Sequence, residues 1–237
     1  MHIGIMLPSR ETAMTGHHDA AALISFAQAA EQAGFDSVWA GDSLARTRVE
    51  PLSLLSAVAA VTSRVRLGTA ALIAPLRHPR LLAYQAASLD QLSAGRLVLG
   101  LGSGAPGPTS ESEFAAVDIP FAKRATRLDD AVDILRRTWQ TEGPLPPVQP
   151  GGPALWLASG DSPRVIARVA DHYDGWLPYL PDVDAYARAL GNRSSAGRIG
   201  PSPRVSTRRW SSTRTRIAPS GLSTAMRSLT IASRWTL

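Results

Sequence analysis

Cysteine is absent from the 237-residue sequence, which excludes disulfide bonds, thiolate metal sites and a cysteine nucleophile. No run of about 18 apolar residues occurs either, so we expect no transmembrane span. The first eight residues lack a basic segment and hold only a short apolar run, which is typical of a strand rather than a signal peptide. The lack of a signal peptide and of a membrane span favours a cytoplasmic protein, whereas the lack of cysteine does not indicate a compartment.

Acidic residues are also absent from the last part of the chain. Residues 1–191 contain 16 basic and all 19 acidic side chains, whereas residues 192–237 contain nine arginines and no acid. The overall charge of +6 therefore comes from the tail. We predict a folded domain over 1–191 and an Arg/Ser/Thr-rich tail over 192–237 that is disordered or translated out of frame. The alternative for the tail is a basic arm that binds nucleic acid, but the remainder of the chain is net acidic.

Short apolar segments alternate with amphipathic ones, and the repeat of about 30 residues matches a βαβ unit. The predicted strands cover 3–7, 36–40, 66–72, 97–101, 154–158 and 174–178. Because these strands are apolar on both faces, they predict a parallel sheet covered by helices. A last helix is expected over Asp182–Leu190. Beyond it, only Ser202–Val205 and Leu229–Ala232 resemble strands, and both are short.

Glycines and hydroxyl side chains follow two of the strands. Gly100–Gly104 would let a planar ligand or a phosphate approach the backbone, although a simple glycine-rich turn is the alternative. Ala158–Pro163 ends a strand and opens a helix, where free N–H groups suit a phosphate. The alternative there is that Asp161 or Ser162 only caps the helix.

Two further positions could carry chemistry. Asp42 ends the second strand, where barrel enzymes place catalytic residues, but a capping or turn role is equally open. His17 and His18 are adjacent, yet no third ligand at suitable spacing accompanies them. We therefore interpret the two histidines as part of a solvated loop and predict no metal site.

An ordered set of motifs resembles the luciferase-like family of flavin- and deazaflavin-dependent oxidoreductases. These motifs are Gly34–Asp42, Val65–Ala70, Arg77–Pro79, Leu89–Leu97, Gly100–Gly104, Pro120–Arg124, Arg127–Ala131 and Ala170–Trp176. They occur in the family's order and approximate spacing, and the resemblance covers residues 1 to about 190. It implies an α/β fold of the TIM (β/α)-barrel type. The barrel is expected to be incomplete, because its last two strands are not recognisable.

The resemblance also implies a site at the carboxyl end of the barrel for FMN or the deazaflavin coenzyme F420. Thr69, Ala70 and Ala71 would lie behind the ring, while Gly102, Ser103 and Gly104 would flank it. Ser159, Gly160 and Ser162 would hold the phosphate. Asp42 and Ser43 are the candidate catalytic residues. The expected activity is that of a monooxygenase, reductase or dehydrogenase acting on a small organic substrate, with deazaflavin slightly preferred.

The sequence departs from the family pattern at several points. Deazaflavin-dependent sugar-phosphate dehydrogenases of the family carry a histidine and a glutamate where this chain has Ser43 and Ala105, so their substrate is not transferred. The loop between Trp139 and Leu155 is short, which predicts an open pocket. An unclosed barrel would expose strand edges, so we expect marginal stability or a partner subunit, such as a second copy in a homodimer. The alternative function is an inactive barrel remnant that binds a phosphate-bearing ligand weakly or not at all.

Overall fold

The structure, a computed structural model, describes residues 2–9, 19–179 and 233–235. Its helices are α1 (Ala20–Gln32), α2 (Pro51–Val61), α3 (Pro79–Leu92), α4 (Pro108–Ala115), α5 (Arg124–Arg137) and α6 (Pro163–His172). Local sequence explains most of their starts. The Asp19 side chain accepts a hydrogen bond from the Ala22 N–H and caps α1. Four helices, α2, α3, α4 and α6, begin with proline, which is preorganised for a first turn and lacks the N–H that would go unpaired there.

The strands form one sheet. They are β1 (His2–Met6), β2 (Ser37–Ala40), β3 (Arg66–Ile73), β4 (Leu97–Gly102), β5 (Ala154–Ser159), β6 (Gly175–Pro178) and β7 (Ser233–Trp235). The spatial order is β6-β5-β4-β3-β2-β1-β7. β1 to β6 are parallel and follow the chain order, whereas β7 pairs antiparallel with β1. The predicted parallel sheet is confirmed, and each predicted strand lies within a residue or two of its observed bounds.

The main core lies between the sheet and its helices. Among its fully buried members are Leu55, Leu67, Leu82, Leu89, Leu97, Leu99, Leu128 and Leu135. Strands contribute alternate side chains to this core, and helices contribute residues spaced three or four apart. A second, smaller cluster joins Ile73 and Leu76 to Phe114 of α4, so it fastens α4 to the region where β3 ends.

The opposite face of the sheet is filled by tryptophans that lie across glycines. Trp39 of β2 covers Gly68 of β3, and Trp156 of β5 covers Gly175 of β6. A Cβ on either glycine would overlap the neighbouring indole ring. The two rings are 5.6 Å apart at a 38° tilt, and the Trp39 Nε1–H donates to Ser37 Oγ at 2.8 Å. The two tryptophans therefore cover several strands of this face.

At the amino edge of the sheet, Arg96 joins α2 to the start of β4. Its guanidinium donates to the carbonyl oxygens of Ala59, Thr62, Val65 and Ser93 at 2.7–3.0 Å, and to Thr62 Oγ1 at 3.0 Å. Burial lowers the pKa of Arg96, even though the charge of Glu31 acts in the opposite direction. This one side chain thus satisfies the carbonyl groups of Ala59 and Thr62, two of those left open where α2 ends.

Most of the predicted tail lies outside the described residues, as do the predicted helix over 182–190 and the two strand candidates. The described part of the tail is β7, whose Arg234 is paired in register with Ile3. The division of the chain at residue 191 stays a prediction. Within the described residues, no helix is long and apolar enough to cross a membrane.

Candidate functional site

The residues that the sequence singles out lie along one edge of the sheet. Ser43 follows β2, Ala71 lies in the last part of β3, Gly102 ends β4 and Ser159 ends β5. Because these strands are parallel and adjacent, their carboxyl ends share an edge, which is where α/β folds hold ligands. His17 and His18 lie outside the described residues, and the described residues contain no cluster of potential metal ligands.

A shelf of small residues runs across the ends of three strands, and we define it as Ala71, Gly102 and Ala158. A Cβ placed on Gly102 would lie 3.4 Å from the Cβ of Ala71 and 3.9 Å from the carbonyl oxygen of Ala158. Ala71 and Ala158 are half-buried, so part of the shelf is open. Small side chains in a row leave room for a planar ring to approach the backbone.

The segment of β3 that leads into the shelf is anchored at Thr69 and departs from regular strand geometry at Ala70 and Ala71. Thr69 is fully buried, and its hydroxyl donates to the Gly100 carbonyl at 2.8 Å. The pairing of β3 with β4 shifts register between Thr69 and Leu72, and the peptide bond between Ala70 and Ala71 is cis. The local bulge turns Ala70 and Ala71 out of the regular ladder, which is a common arrangement beside a binding site.

The loop after β4 is held by an aromatic side chain. Gly104 has a φ of +87°, a conformation that favours glycine. A Cβ there would lie 3.1 Å from the ring of Phe114, and Phe114 packs edge-on against Phe121 with centroids 5.2 Å apart. Ser103 and Gly104 are half-buried beside the shelf.

The β5–α6 turn presents an exposed helix start. Ser162 is the N-cap of α6, but its side chain makes no capping hydrogen bond, so its hydroxyl is not used by the helix. Among the described residues, no atom beyond the two chain neighbours of Gly160 lies within 4 Å of a Cβ placed there, which leaves space for a ligand. Asp161 is exposed there, and its charge would oppose an anion unless it points away. Arg164 in the first turn of α6 is exposed and adds a positive charge there.

The Asp42 carboxylate forms an ion pair with Arg77. Its carboxylate accepts hydrogen bonds from Arg77 Nη1 at 2.6 Å, Arg77 Nη2 at 3.2 Å and the Ile73 N–H at 2.9 Å. Arg77 also donates to Glu50 at 3.0 Å. Burial alone lowers the pKa of Arg77, but the hydrogen bonds and charges of Asp42 and Glu50 raise it above its usual value. The Asp42 side chain is only 4% exposed, which favours positioning over catalysis. A direct catalytic role for Asp42 stays a prediction.

Ser43 contacts a carboxylate that sequence reasoning missed. Its hydroxyl donates a hydrogen bond to Oε1 of Glu113, and the Ala45 N–H donates to the same oxygen at 3.2 Å. Glu113 lies on α4 and is 3% exposed. Because the Ser43 proton points to Glu113, the lone pairs of Ser43 Oγ are left for a donor. No local signal links two residues 70 positions apart.

Comparison with known proteins identifies the family. The model of the luciferase-like monooxygenase family matches residues 1–218. An F420-dependent glucose-6-phosphate dehydrogenase of Amycolatopsis mediterranei is 34% identical over 128 residues, which cover 51% of this chain and 38% of that enzyme. The family match thus extends about 28 residues beyond the resemblance found from motifs, into the basic tail.

Solved structures agree with this match. The monooxygenase RslO1 from Streptomyces bottropensis is 26% identical, with a TM-score of 0.71, covering 85% of this chain and 68% of that one. The oxygenating constituent of 3,6-diketocamphane monooxygenase from Pseudomonas putida, solved with FMN, has a TM-score of 0.68 at 19% identity. It covers 83% of this chain and 62% of its own, and it supports the fold alone. Because the family model spans most of its length, this chain belongs to the luciferase-like monooxygenase family.

Proposed function

We propose that this chain is a flavin-type oxidoreductase that binds F420 or FMN at the carboxyl edge of its sheet and acts on a small organic substrate. The observation that carries the proposal is the shelf of Ala71, Gly102 and Ala158, with an open helix start at one side. The shelf suits a planar ring, and the α6 start suits a phosphate, so the two halves of such a cofactor have complementary surfaces.

The cofactor, when bound, supplies the hydride or electron transfer, and the protein supplies binding and orientation. Thr69, Ala70 and Ala71 would lie behind the ring, and Gly102, Ser103 and Gly104 would flank it. Ser159, Gly160 and Ser162 would hold the phosphate through hydroxyls and helix N–H groups. F420 is slightly preferred, since a relative 34% identical carries F420 dependence in its name. FMN is supported by the fold neighbour solved with it.

We propose further that the sheet is part of a TIM-type barrel, which fits β1 to β6, six parallel strands that neighbour one another in chain order. The glucose 6-phosphate activity of the relative is not carried over, because Ser43 and Ala105 replace the acid–base pair of that branch. Ser43 presents only lone pairs, so we expect the substrate group facing it to be a hydrogen-bond donor such as a hydroxyl.

Titration of the full chain with F420 and, separately, with FMN tests the proposal. Visible absorbance and tryptophan fluorescence should change and reach saturation with one of them, because Trp39 and Trp156 line the face of the sheet next to the site. Riboflavin, which lacks the phosphate, is the matched control and should bind more weakly than FMN. Absence of saturable binding by either cofactor would support the alternative, an inactive barrel remnant.

A further inference from the structure

One buried carboxylate has no role in the cofactor contacts proposed above. Glu113 is 3% exposed, yet its hydrogen-bond partners among the described residues are neutral donors, the Ser43 hydroxyl and the Ala45 N–H. Within the described residues, no lysine or arginine forms an ion pair with it. Burying a carboxylate costs free energy unless its hydrogen bonds are retained. The two hydrogen bonds to the β2–α2 loop therefore offset the cost of burying Glu113.

The loop that Glu113 contacts has little else to hold it. Residues 44–47 are exposed, and the Leu44 side chain is 55% exposed, so apolar burial contributes little to their order. The residue before Ser43 is anchored separately, since Asp42 bonds to Arg77 and to the Ile73 N–H. Glu113 therefore acts on the outer part of the loop, beyond the ion pair.

Phe114, the next residue on α4, contacts the loop after β4. Phe114 is fully buried, lies against Gly104 in the loop after β4, and packs with Ile73 and Leu76. Glu113 and Phe114 thus connect one short helix to two loops, one after β2 and one after β4. Both loops end at the same edge of the sheet.

We propose that Glu113 is a positioning residue of the cofactor site. Through Ser43 and Ala45 it holds the β2–α2 loop against α4. This keeps the loop after β2 and the loop after β4 at a fixed separation beside the shelf. It also orients the Ser43 hydroxyl so that its lone pairs face away from α4. The inference rests on the proposed function, because it concerns the affinity of that site.

Three variants of the full chain test the proposal: E113A, E113Q and S43A, with E111Q on the same helix as the control, since Glu111 is exposed. Amide hydrogen exchange at residues 43–47 is measured without cofactor, and the Kd for F420 and FMN is measured by fluorescence. In E113A we expect exchange and Kd each to rise about tenfold or more, because hydrogen bonds to a charged acceptor are lost.

E113Q retains an acceptor oxygen, so it should stay within about threefold of the wild type in both measurements, and S43A should fall between the two. Wild-type exchange and Kd in E113A would overturn the proposal, as would an E113Q variant as impaired as E113A. If the wild type binds neither cofactor, the proposed function fails. Hydrogen exchange then still decides whether Glu113 orders the loop, so the two failures are distinguishable.

Discussion

Arg77 donates two hydrogen bonds to the carboxylate of Asp42, from Nη1 to Oδ2 at 2.6 Å and from Nη2 to Oδ1 at 3.2 Å. Both side chains are largely buried, at 17% and 4% exposure. The pair joins the end of β2 to the start of α3, and the Ile73 N–H extends it to the end of β3. Three elements that border the proposed site therefore meet at one carboxylate.

Removing one partner of this pair should be strongly destabilising. We expect Arg77→Ala and Asp42→Ala each to lower the free energy of unfolding by about 3 kcal/mol, because the remaining charge is buried without its counterion. Urea denaturation measures the change, and the double variant should lose less than the sum of the two. Arg136→Ala is the control, since its pair with Asp174 is exposed and should contribute about 0–1 kcal/mol.

The same variants separate positioning from catalysis. If Asp42 only positions the loop, Arg77→Ala should weaken cofactor binding as much as Asp42→Ala does, because both open the same contact. A cofactor affinity unchanged in Arg77→Ala but lost in Asp42→Ala would instead indicate that the Asp42 carboxylate contacts the ligand directly.

Arg96 should be irreplaceable by lysine. An ammonium group cannot reach the four carbonyl oxygens and one hydroxyl that the guanidinium contacts, so several would lose their donor. We expect Arg96→Lys to lower the free energy of unfolding on the order of 2 kcal/mol. The exposed Arg66→Lys serves as the control. Equal stability of both variants in urea denaturation would show that water replaces the lost donors.

Protonation of Glu31 at acid pH should lower the free energy of unfolding. Burial alone raises the pKa of this carboxyl, but hydrogen bonds from the N–H groups of Val65, Arg64 and Ser63 lower it below its usual value of 4.5. A lowered folded-state pKa contributes stability above 4.5, and that contribution is lost as pH falls through the folded-state pKa. Glu31→Gln should therefore lose less stability than the wild type between neutral and acid pH. Identical pH profiles for Glu31→Gln and the wild type would contradict this assignment.

The strands were predictable because each is a short apolar run, and their parallel order follows from the helices between them. Helix α4 was not, since its sequence PTSESEFA is mostly polar and only Phe114 marks a buried face. The residues of the site likewise fall into those that local sequence predicts and those that it does not. Gly102 and Ser159 could be placed from strand ends, but the contact of Ser43 with Glu113 depends on tertiary packing that no local pattern contains.

Phosphate binding at the start of α6 should be sensitive to added negative charge. A Cβ on Gly160 meets open space among the residues that the structure describes, so Gly160→Asp should fold normally. Its carboxylate would repel the cofactor phosphate and should raise the Kd for FMN about tenfold or more, an effect that salt reduces. Ala167→Asp places the same charge on an exposed position of α6 away from its start, and should leave the Kd unchanged. An equal effect of the two substitutions would place the phosphate elsewhere.

Substitutions at Gly100 and Gly102 test whether the cofactor ring lies at the shelf. Gly100→Ala is the structural comparison, because its Cβ would overlap the Thr69 carbonyl oxygen and should destabilise the whole fold. At Gly102 the nearest atoms are at ordinary contact distance, so Gly102→Ala should cost about 1 kcal/mol or less.

The most direct measurement is the Kd of the full-length Gly102→Leu and Gly102→Ala variants for F420 and FMN, with unfolding followed in parallel. We predict that Gly102→Ala weakens binding of the preferred cofactor about tenfold and that Gly102→Leu abolishes it, because the added side chain occupies the surface between Ala71 and Ala158. Both variants should unfold cooperatively. Wild-type affinity in a folded Gly102→Leu variant would contradict the account and remove the ring from this edge of the sheet.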